Sequence, residues 1–467
     1  MARSLAVTLL FAVLLHSSFQ LLLPPQLVAE AAGGTPMRLI YRLTIKARPW
    51  AKKEAADYVK KKIRRRVEDA ITNWGNPQQQ QLGAAAATGP ADALVIDFSV
   101  GHAPAAARNT SGLVDITSQL VWVQCAPCAA GGGGACLPPP ETTSTRLPCA
   151  SHMCPSFLRE TCNASLCDGY TATYGPYANA SGYLATDTFT FDSTTAVPAV
   201  VFGCSNRISG DFSGASGVIG LGRGPLSLLS QLNLTRFSYQ LSAPQSSSSS
   251  SDEDGSVIRF GDDAIPMTNR HRSTPLLVVS QYPNLYYVKL TGILVDGNML
   301  SSIPAGTFDL TANGSGGVIL STTMPVTFLE EAAYNVVKQA LKKKIALPTV
   351  DGSELDLDLC YLAASMANKS VVVPTVTLVF DGVGAEMNLS STNLFFIDDD
   401  TGLECLTMLP SRGGSVLGSL LQTGNHMIYD VGGERLTFER TAGLAPPLPA
   451  VSLMVILVPL VASLLLF

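Results

Sequence analysis

GGVILSTTMPVTFL (residues 316–329) reads as a short apolar strand, Val318-Ile319-Leu320, that runs into a tight polar turn from Ser321 to Met324. GLVDITSQLVW (residues 112–122) has the same build, with Asp115 opening its turn. Each is followed, about a hundred residues on, by an apolar run that closes on Gly: GVIGLGRGPLSLLSQL (217–232) and SVLGSLLQTGNHMIYD (415–430). A strand with a polar turn, then an apolar run ending in Gly, thus occurs twice in the same order. Two related β lobes are the natural reading.

The surrounding sequence agrees. ALVIDFSVG (93–101), GYLATDTFTF (182–191), AVVFGCS (199–205), LYYVKLTGILVDG (285–297), VVVPTVTLVF (371–380) and MIYDVGGERLTFER (427–440) are apolar or alternating runs bounded by turn residues. The fold class expected is all-β, with few short helices. One helix is expected in LEEAAYNVVKQALKKKI (329–345), acidic at its start and Lys-rich at its end, as the helix dipole prefers. SSSSSSDEDG (246–255) is a solvated low-complexity loop.

Composition narrows the function. Charged residues are 14% of 467, and the net charge is -5. No basic patch is available for phosphates, so nucleic acid is not an expected partner. MARSLAVTLLFAVLLHSS (1–18) followed by small residues reads as a secretory signal peptide, with cleavage expected near Ala31. Residues 32–92 are a basic, helix-prone segment and a Gln/Ala-rich linker that read as a propeptide. The chain ends in VSLMVILVPLVASLLLF (451–467), uncharged throughout and preceded by the small and Pro-rich TAGLAPPLPA (441–450). This is the pattern of a GPI-attachment signal, with the anchor near Ala442 or Gly443; a plain spanning tail is the alternative.

Ten Cys suit a secreted chain. Eight fall between Cys125 and Cys204 (the others being Cys128, Cys136, Cys149, Cys154, Cys162 and Cys167), and two lie apart at Cys360 and Cys405. A disulfide framework in the first half and one Cys360–Cys405 bridge in the second are expected; the pairing among the eight stays open. CAPC (125–128) lacks a second close Cys or His pair, so no metal site is expected. Asn-x-Ser/Thr sequons at Asn109, Asn163, Asn179, Asn233, Asn313, Asn368 and Asn388 fit a glycosylated surface protein.

From about residue 93 to 440 the ordered blocks resemble the pepsin-type aspartic proteases, and within them the plant nepenthesin-like group. The blocks are LVWVQCAPC (120–128), YGPYANASGYLATDTFTF (174–191), VFGCS (201–205), residues 217–232, RFSYQL (236–241), GGVIL (316–320), LDLCY (357–361) and residues 415–431. The resemblance implies a bilobal fold with a central cleft: a lobe over 93–275, a lobe over 276–441, and the tail from 442. It also implies no cofactor, a peptide or protein ligand in the cleft, and a monomer. In that family each lobe delivers one Asp from an Asp-Thr/Ser-Gly-Thr/Ser turn, and the two carboxylates share a proton, the example the physical chemistry of like charges is usually taught on.

On that pattern the first Asp is Asp115, followed by Ile116, Thr117 and Ser118. The second Asp position is Ser321, followed by Thr322, Thr323 and Met324. Thr117 and Thr323 stand where the family has Gly, and are expected to crowd the backbone that approaches the carboxylates. Ile116 removes a hydroxyl that helps lock the turns together. Tyr174 matches the flap Tyr that contacts substrate, although the tip after it departs from the family; core packing is its plainer role. Asp309 is the nearest upstream acid that a shifted alignment could bring to the second position. The reading is a non-proteolytic, cell-surface aspartic-protease-like protein that binds peptide or protein. The alternatives are an active aspartic endopeptidase with unusual turns, and an inhibitor of secreted glycosidases.

Overall fold

The computed structural model describes residues 42–43 and 94–440, apart from short loops at 103–106, 129–134, 139–143, 156–161, 163–164, 175–177, 192–195, 211, 213, 242–255 and 312–315. The signal peptide, the propeptide-like segment apart from Arg42–Leu43, the apolar tail, the flap tip and the sequons at Asn163 and Asn313 lie outside the described residues.

Strands dominate. In the first lobe, strand Arg108–Asp115 runs parallel to Gly217–Gly220, with Asp115 beside Gly220. Trp122–Gln124 pairs antiparallel with that same central strand and parallel with Ala196–Ser209. In the second lobe, Val318–Leu320 runs parallel to Ser415–Leu417, and Thr327–Glu330 sits antiparallel to it and parallel to Met408–Ser411. The order is parallel, antiparallel, parallel both times, so the sequence repeat is a structural repeat.

The Gly that closes each apolar run has a steric reason. A Cβ on Gly220 would lie 2.5 Å from the Leu120 carbonyl oxygen, and one on Gly418 would lie 2.5 Å from that of Pro325. In both lobes the chain leaving the turn presses on this position. No side chain fits there.

The halves meet in a six-stranded antiparallel sheet. Arg236–Gln240 and Val257–Phe260 come from the first half, with Arg42–Leu43 added at the outer edge of Val257–Phe260, and Asn425–Asp430, Arg435–Arg440 and Arg272–Pro275 complete it. Phe237, Tyr239, Tyr286 and Tyr429 form a buried aromatic cluster there, Phe237 stacked on Tyr429 and the other pairs tilted or edge-on. The expected helix spans Glu331–Ile345, with Glu331 in its first turn, Lys342 to Lys344 in its last, and Ala333, Tyr334, Val337, Leu341 and Ile345 buried. All ten Cys are paired: Cys125–Cys204, Cys128–Cys136, Cys149–Cys162, Cys154–Cys167 and Cys360–Cys405. The separate bridge of the second half is as the spacing indicated. The five described sequon residues, Asn109, Asn179, Asn233, Asn368 and Asn388, are exposed.

Among the described residues no helix is long and apolar enough to cross a membrane.

Candidate functional site

The two turns lie side by side at the junction of the lobes. The Ile116 N–H donates to the Thr322 hydroxyl at 3.3 Å, and that hydroxyl donates to the Val114 carbonyl at 2.9 Å. A two-fold related pair of turns would make the mirror bonds as well. Position 116 is Ile, so its side of the lock has no hydroxyl to offer. The two lobes are joined here by one hydroxyl where symmetry calls for two.

Each turn is held by the Gly-containing loop of its own repeat. The Gly222 N–H donates to the Ser118 carbonyl at 2.8 Å, and the Ser419 N–H donates to that of Met324 at 2.7 Å. Gln422 adds a brace in the second lobe. Its amide donates to the carbonyls of Ser321 (2.8 Å) and Leu417 (2.9 Å), while the Tyr239 hydroxyl donates to its oxygen. The sequence reading passed over Gln422. The repeat carried a signal for it, because SLLSQ (227–231) and SLLQ (419–422) both end on Gln. Gln231 also uses its amide inside the first lobe, on Val201 and Leu226, without reaching the Asp115 turn.

Asp115 is 1% exposed. Its Oδ1 accepts from the Thr117 N–H at 2.7 Å and the Thr117 hydroxyl at 2.6 Å. Its Oδ2 is buried without a hydrogen-bond partner among the described residues. Burial pushes the carboxyl up to about 6, against the downward pull of the Thr117 hydroxyl and the Thr117 and Ser118 N–H groups. The expectation that Thr117 crowds the backbone donor is corrected: the N–H still reaches the carboxylate, and the extra hydroxyl adds a second bond to the same oxygen.

Ser321 occupies the matching place, 2% exposed. Its Oγ accepts from the N–H groups of Thr323 (3.3 Å) and Met324 (3.1 Å) and lies 3.4 Å from the Thr323 hydroxyl. The donors that would meet a carboxylate at this position meet a neutral hydroxyl. Asp309 does not fill the gap. It is on the surface, where it pairs with Lys289 at 3.8 Å.

Tyr174 is buried beside Asp115. Trp122 Nε1–H donates to its hydroxyl at 2.6 Å, and Ser118 Oγ lies 3.4 Å away. Trp122 and Phe212 meet its ring, Phe212 edge-on at 5.3 Å. Burial, and then the nearby Asp115 charge, push its phenol well above its ordinary value. In this conformation Tyr174 is a packed residue whose hydroxyl is already committed. No cluster of three or more His, Cys, Asp or Glu suited to a metal ion occurs among the described residues.

The titration of Asp115 has a sign that can be tested. Its folded-state value lies above the ordinary 3.8, so the folded protein keeps a proton that the unfolded chain gives up. Stability is therefore complete below about pH 4 and is lost as pH rises toward 6, by about 3 kcal/mol in all. Asp115→Asn removes this loss. Urea unfolding at pH 3 and pH 7 is expected to show the variant gaining about 3 kcal/mol on the parent between the two, offset at both by the cost of one buried amide N–H group. Parallel pH profiles for parent and variant would show that Asp115 is ionised without penalty.

Comparison with known proteins places this geometry. The first lobe matches the family described as xylanase inhibitor N-terminal, over residues 95–262, and the second matches xylanase inhibitor C-terminal, over 285–440. The chain is 38% identical to aspartic proteinase nepenthesin-2 of Nepenthes gracilis over 338 residues, covering 71% of this chain and 74% of the relative. It is 33% identical to nepenthesin-1 of the same plant, again over 71% of this chain and 74% of the relative. The crystal structure of basic 7S globulin from soybean shares the fold, with a TM-score of 0.54 at 22% identity, covering 75% of this chain and 97% of that one. With both lobes matched and the nepenthesins at this identity, the chain belongs to the nepenthesin-like plant aspartic protease family and has its bilobal pepsin-like fold.

Proposed function

We propose that the protein is a non-proteolytic member of this family that holds a peptide or protein segment in the cleft between its lobes. One observation carries the reading: the turn that carries Asp115 is hydrogen-bonded to a turn that carries Ser321 where hydrolysis needs a second carboxylate. Peptide hydrolysis on this fold uses one ionised carboxylate to take a proton from water and one protonated carboxylate to give a proton to the carbonyl. With its value near 6, Asp115 is protonated across the acidic range and leaves no base there. Above that range it is a base with no acid beside it. The Ser321 hydroxyl, already accepting two N–H groups, replaces neither role.

The test is retention of ligand. The purified chain is expected to retain members of a displayed random-peptide library, and Tyr174→Ala is expected to abolish retention by collapsing the Trp122–Tyr174–Phe212 wall. Val372→Glu, on the exposed surface, is expected to leave it unchanged. Equal retention by all three proteins would overturn the reading. The description of the matching family favours a second reading, inhibition of a secreted glycosidase. Loss of xylanase activity on adding the protein would identify that partner class.

The proposed location is the extracellular face of the plasma membrane, reached by the secretory pathway and held by a lipid at the C-terminus. The support is the apolar run 451–467 behind a small-residue spacer. Phosphatidylinositol-specific phospholipase C is expected to release the protein from intact cells. Mass spectrometry that finds residues 451–467 in the mature protein would contradict the lipid anchor.

A further inference from the structure

The last described strand, Arg435–Arg440, leads into the segment 441–450 and then the apolar run 451–467. Ten residues reach at most about 35 Å when fully extended, so whatever holds the tail stays near Arg440. The surface around Arg440 has an unusual make-up. The loop 264–272, AIPMTNRHR, has no acid and ends in Arg270, His271 and Arg272. Glu439, buried next to Arg440, clamps that loop: its carboxylate accepts from the N–H groups of Met267 (2.6 Å) and Thr268 (2.8 Å) and from the Thr268 hydroxyl (2.6 Å). Arg272 pairs with Phe438 in the edge strand of the same sheet.

Arg270, Arg272 and Arg440 are exposed, and none forms an ion pair among the described residues. Beside them are exposed aliphatic side chains. Ile265 and Met267 are 50% and 48% exposed on the clamped loop. Val383 is fully exposed in a loop that closes against the edge strand, since a Cβ on Gly382 would touch the Ser273 carbonyl and one on Gly384 would lie 3.7 Å from Arg272 Nε. Of eight strongly exposed large hydrophobic residues among those described, three thus gather at one edge, next to three Arg and the exit of the tail. Asp263, two residues before Ile265, and Asp381, two residues before Val383, are the acids nearest in sequence to these aliphatics.

We propose that this edge is a membrane-facing surface, with Arg270, Arg272 and Arg440 on anionic lipid headgroups and Ile265, Met267 and Val383 entering the headgroup boundary. The inference rests on the reading of 451–467 as a membrane-attachment signal. Aliphatics set among Arg match the interface of an anionic bilayer, which attracts cations and accepts apolar side chains at shallow depth. On vesicles that contain phosphatidylserine each Arg contributes about fivefold, so the three together favour the docked orientation there by roughly a hundredfold. Docking fixes the body at its sheet edge instead of leaving it to tumble on the tether.

The mature protein, purified from the membranes of cells that express the full chain, is reconstituted on vesicles of phosphatidylcholine alone or mixed with phosphatidylserine. Because every native Cys is paired, Val383→Cys accepts a single fluorophore, and Val372→Cys, beyond the opposite end of strand Val376–Phe380, serves as the reference. Quenching by headgroup-labelled lipid is expected to be strong at 383 and weak at 372 on the anionic vesicles. Arg270→Gln, Arg272→Gln and Arg440→Gln together are expected to return position 383 to its level on phosphatidylcholine. Flotation with phosphatidylcholine vesicles reports the tail separately. A chain that floats but shows equal quenching at 383 and 372, or quenching indifferent to phosphatidylserine and to the three Arg, overturns the membrane-facing surface and leaves the anchor standing. A chain that does not float, yet is quenched at 383 on anionic vesicles, supports the surface and overturns the anchor. Neither flotation nor quenching overturns both.

Discussion

Ser321→Asp is expected to yield a protein that does not cleave peptides and that is less stable than its parent at pH 7 by about 3–5 kcal/mol, the scale of an uncompensated buried charge. The new carboxyl would find the N–H groups of Thr323 and Met324 waiting. It would also stand near Asp115, whose Oδ2 has no partner. Two buried like charges hold a proton more tightly than one, so the folded state gains affinity for protons and the deficit shrinks as pH falls. Activity fails for a geometric reason. The lobes are locked on one side only, through Thr322, and Thr117 holds the Asp115 carboxylate in place with two donors on its Oδ1. A misplacement of about 1 Å costs on the order of a hundredfold in rate. The combined change Ile116→Thr, Thr117→Gly, Ser321→Asp and Thr323→Gly supplies the second hydroxyl and clears both Thr side chains. It is expected to cleave where the single variant does not. Cleavage by the single variant would show that the neighbouring side chains are tolerated.

Replacing Cys360 and Cys405 together by Ala is expected to lower stability by about 4 kcal/mol, the chain-entropy value for a loop of this length. The bridge spans 45 residues and joins directly opposed residues of two strands. Both Cys are fully buried in a cluster with Leu355, Leu357, Leu403 and Met324. Met324 belongs to the Ser321 turn, so the bridge also steadies one end of the candidate site. Urea unfolding of both proteins reads the difference directly. A loss below about 1 kcal/mol would mean that the unfolded chain is held together by other means.

The sequence disclosed the parts of this architecture that repeat or obey a local rule. The strand order around Asp115 recurs around Ser321, because two apolar runs ending in Gly220 and Gly418 must pack under two turns. The helix 331–345 follows from its charge asymmetry and apolar face. The Cys360–Cys405 pairing follows from isolation in sequence. The pairing of the other eight does not, since eight Cys allow 105 connectivities and spacing alone selects none. The side-chain detail of the site was also out of reach. That Thr117 bonds to Asp115 instead of obstructing it depends on a rotamer. That Tyr174 is sealed against Trp122 and Phe212 depends on residues 52 and 38 positions from it in the chain coming together, Trp122 from a strand that does not pair with its own and Phe212 from outside the strands.

The proposed loss of the catalytic pair is tested most directly by proteolysis. The parent protein, freed of residues 1–92, is incubated with denatured haemoglobin from pH 3 to pH 6, with and without pepstatin, beside Asp115→Asn. With one carboxylate, and Ser321 in the place of the second, the two proteins should release the same trace of peptide, and pepstatin should change neither. Cleavage by the parent that pepstatin blocks and Asp115→Asn abolishes would contradict the account, because it would mean that Asp115 works without a second carboxylate at position 321.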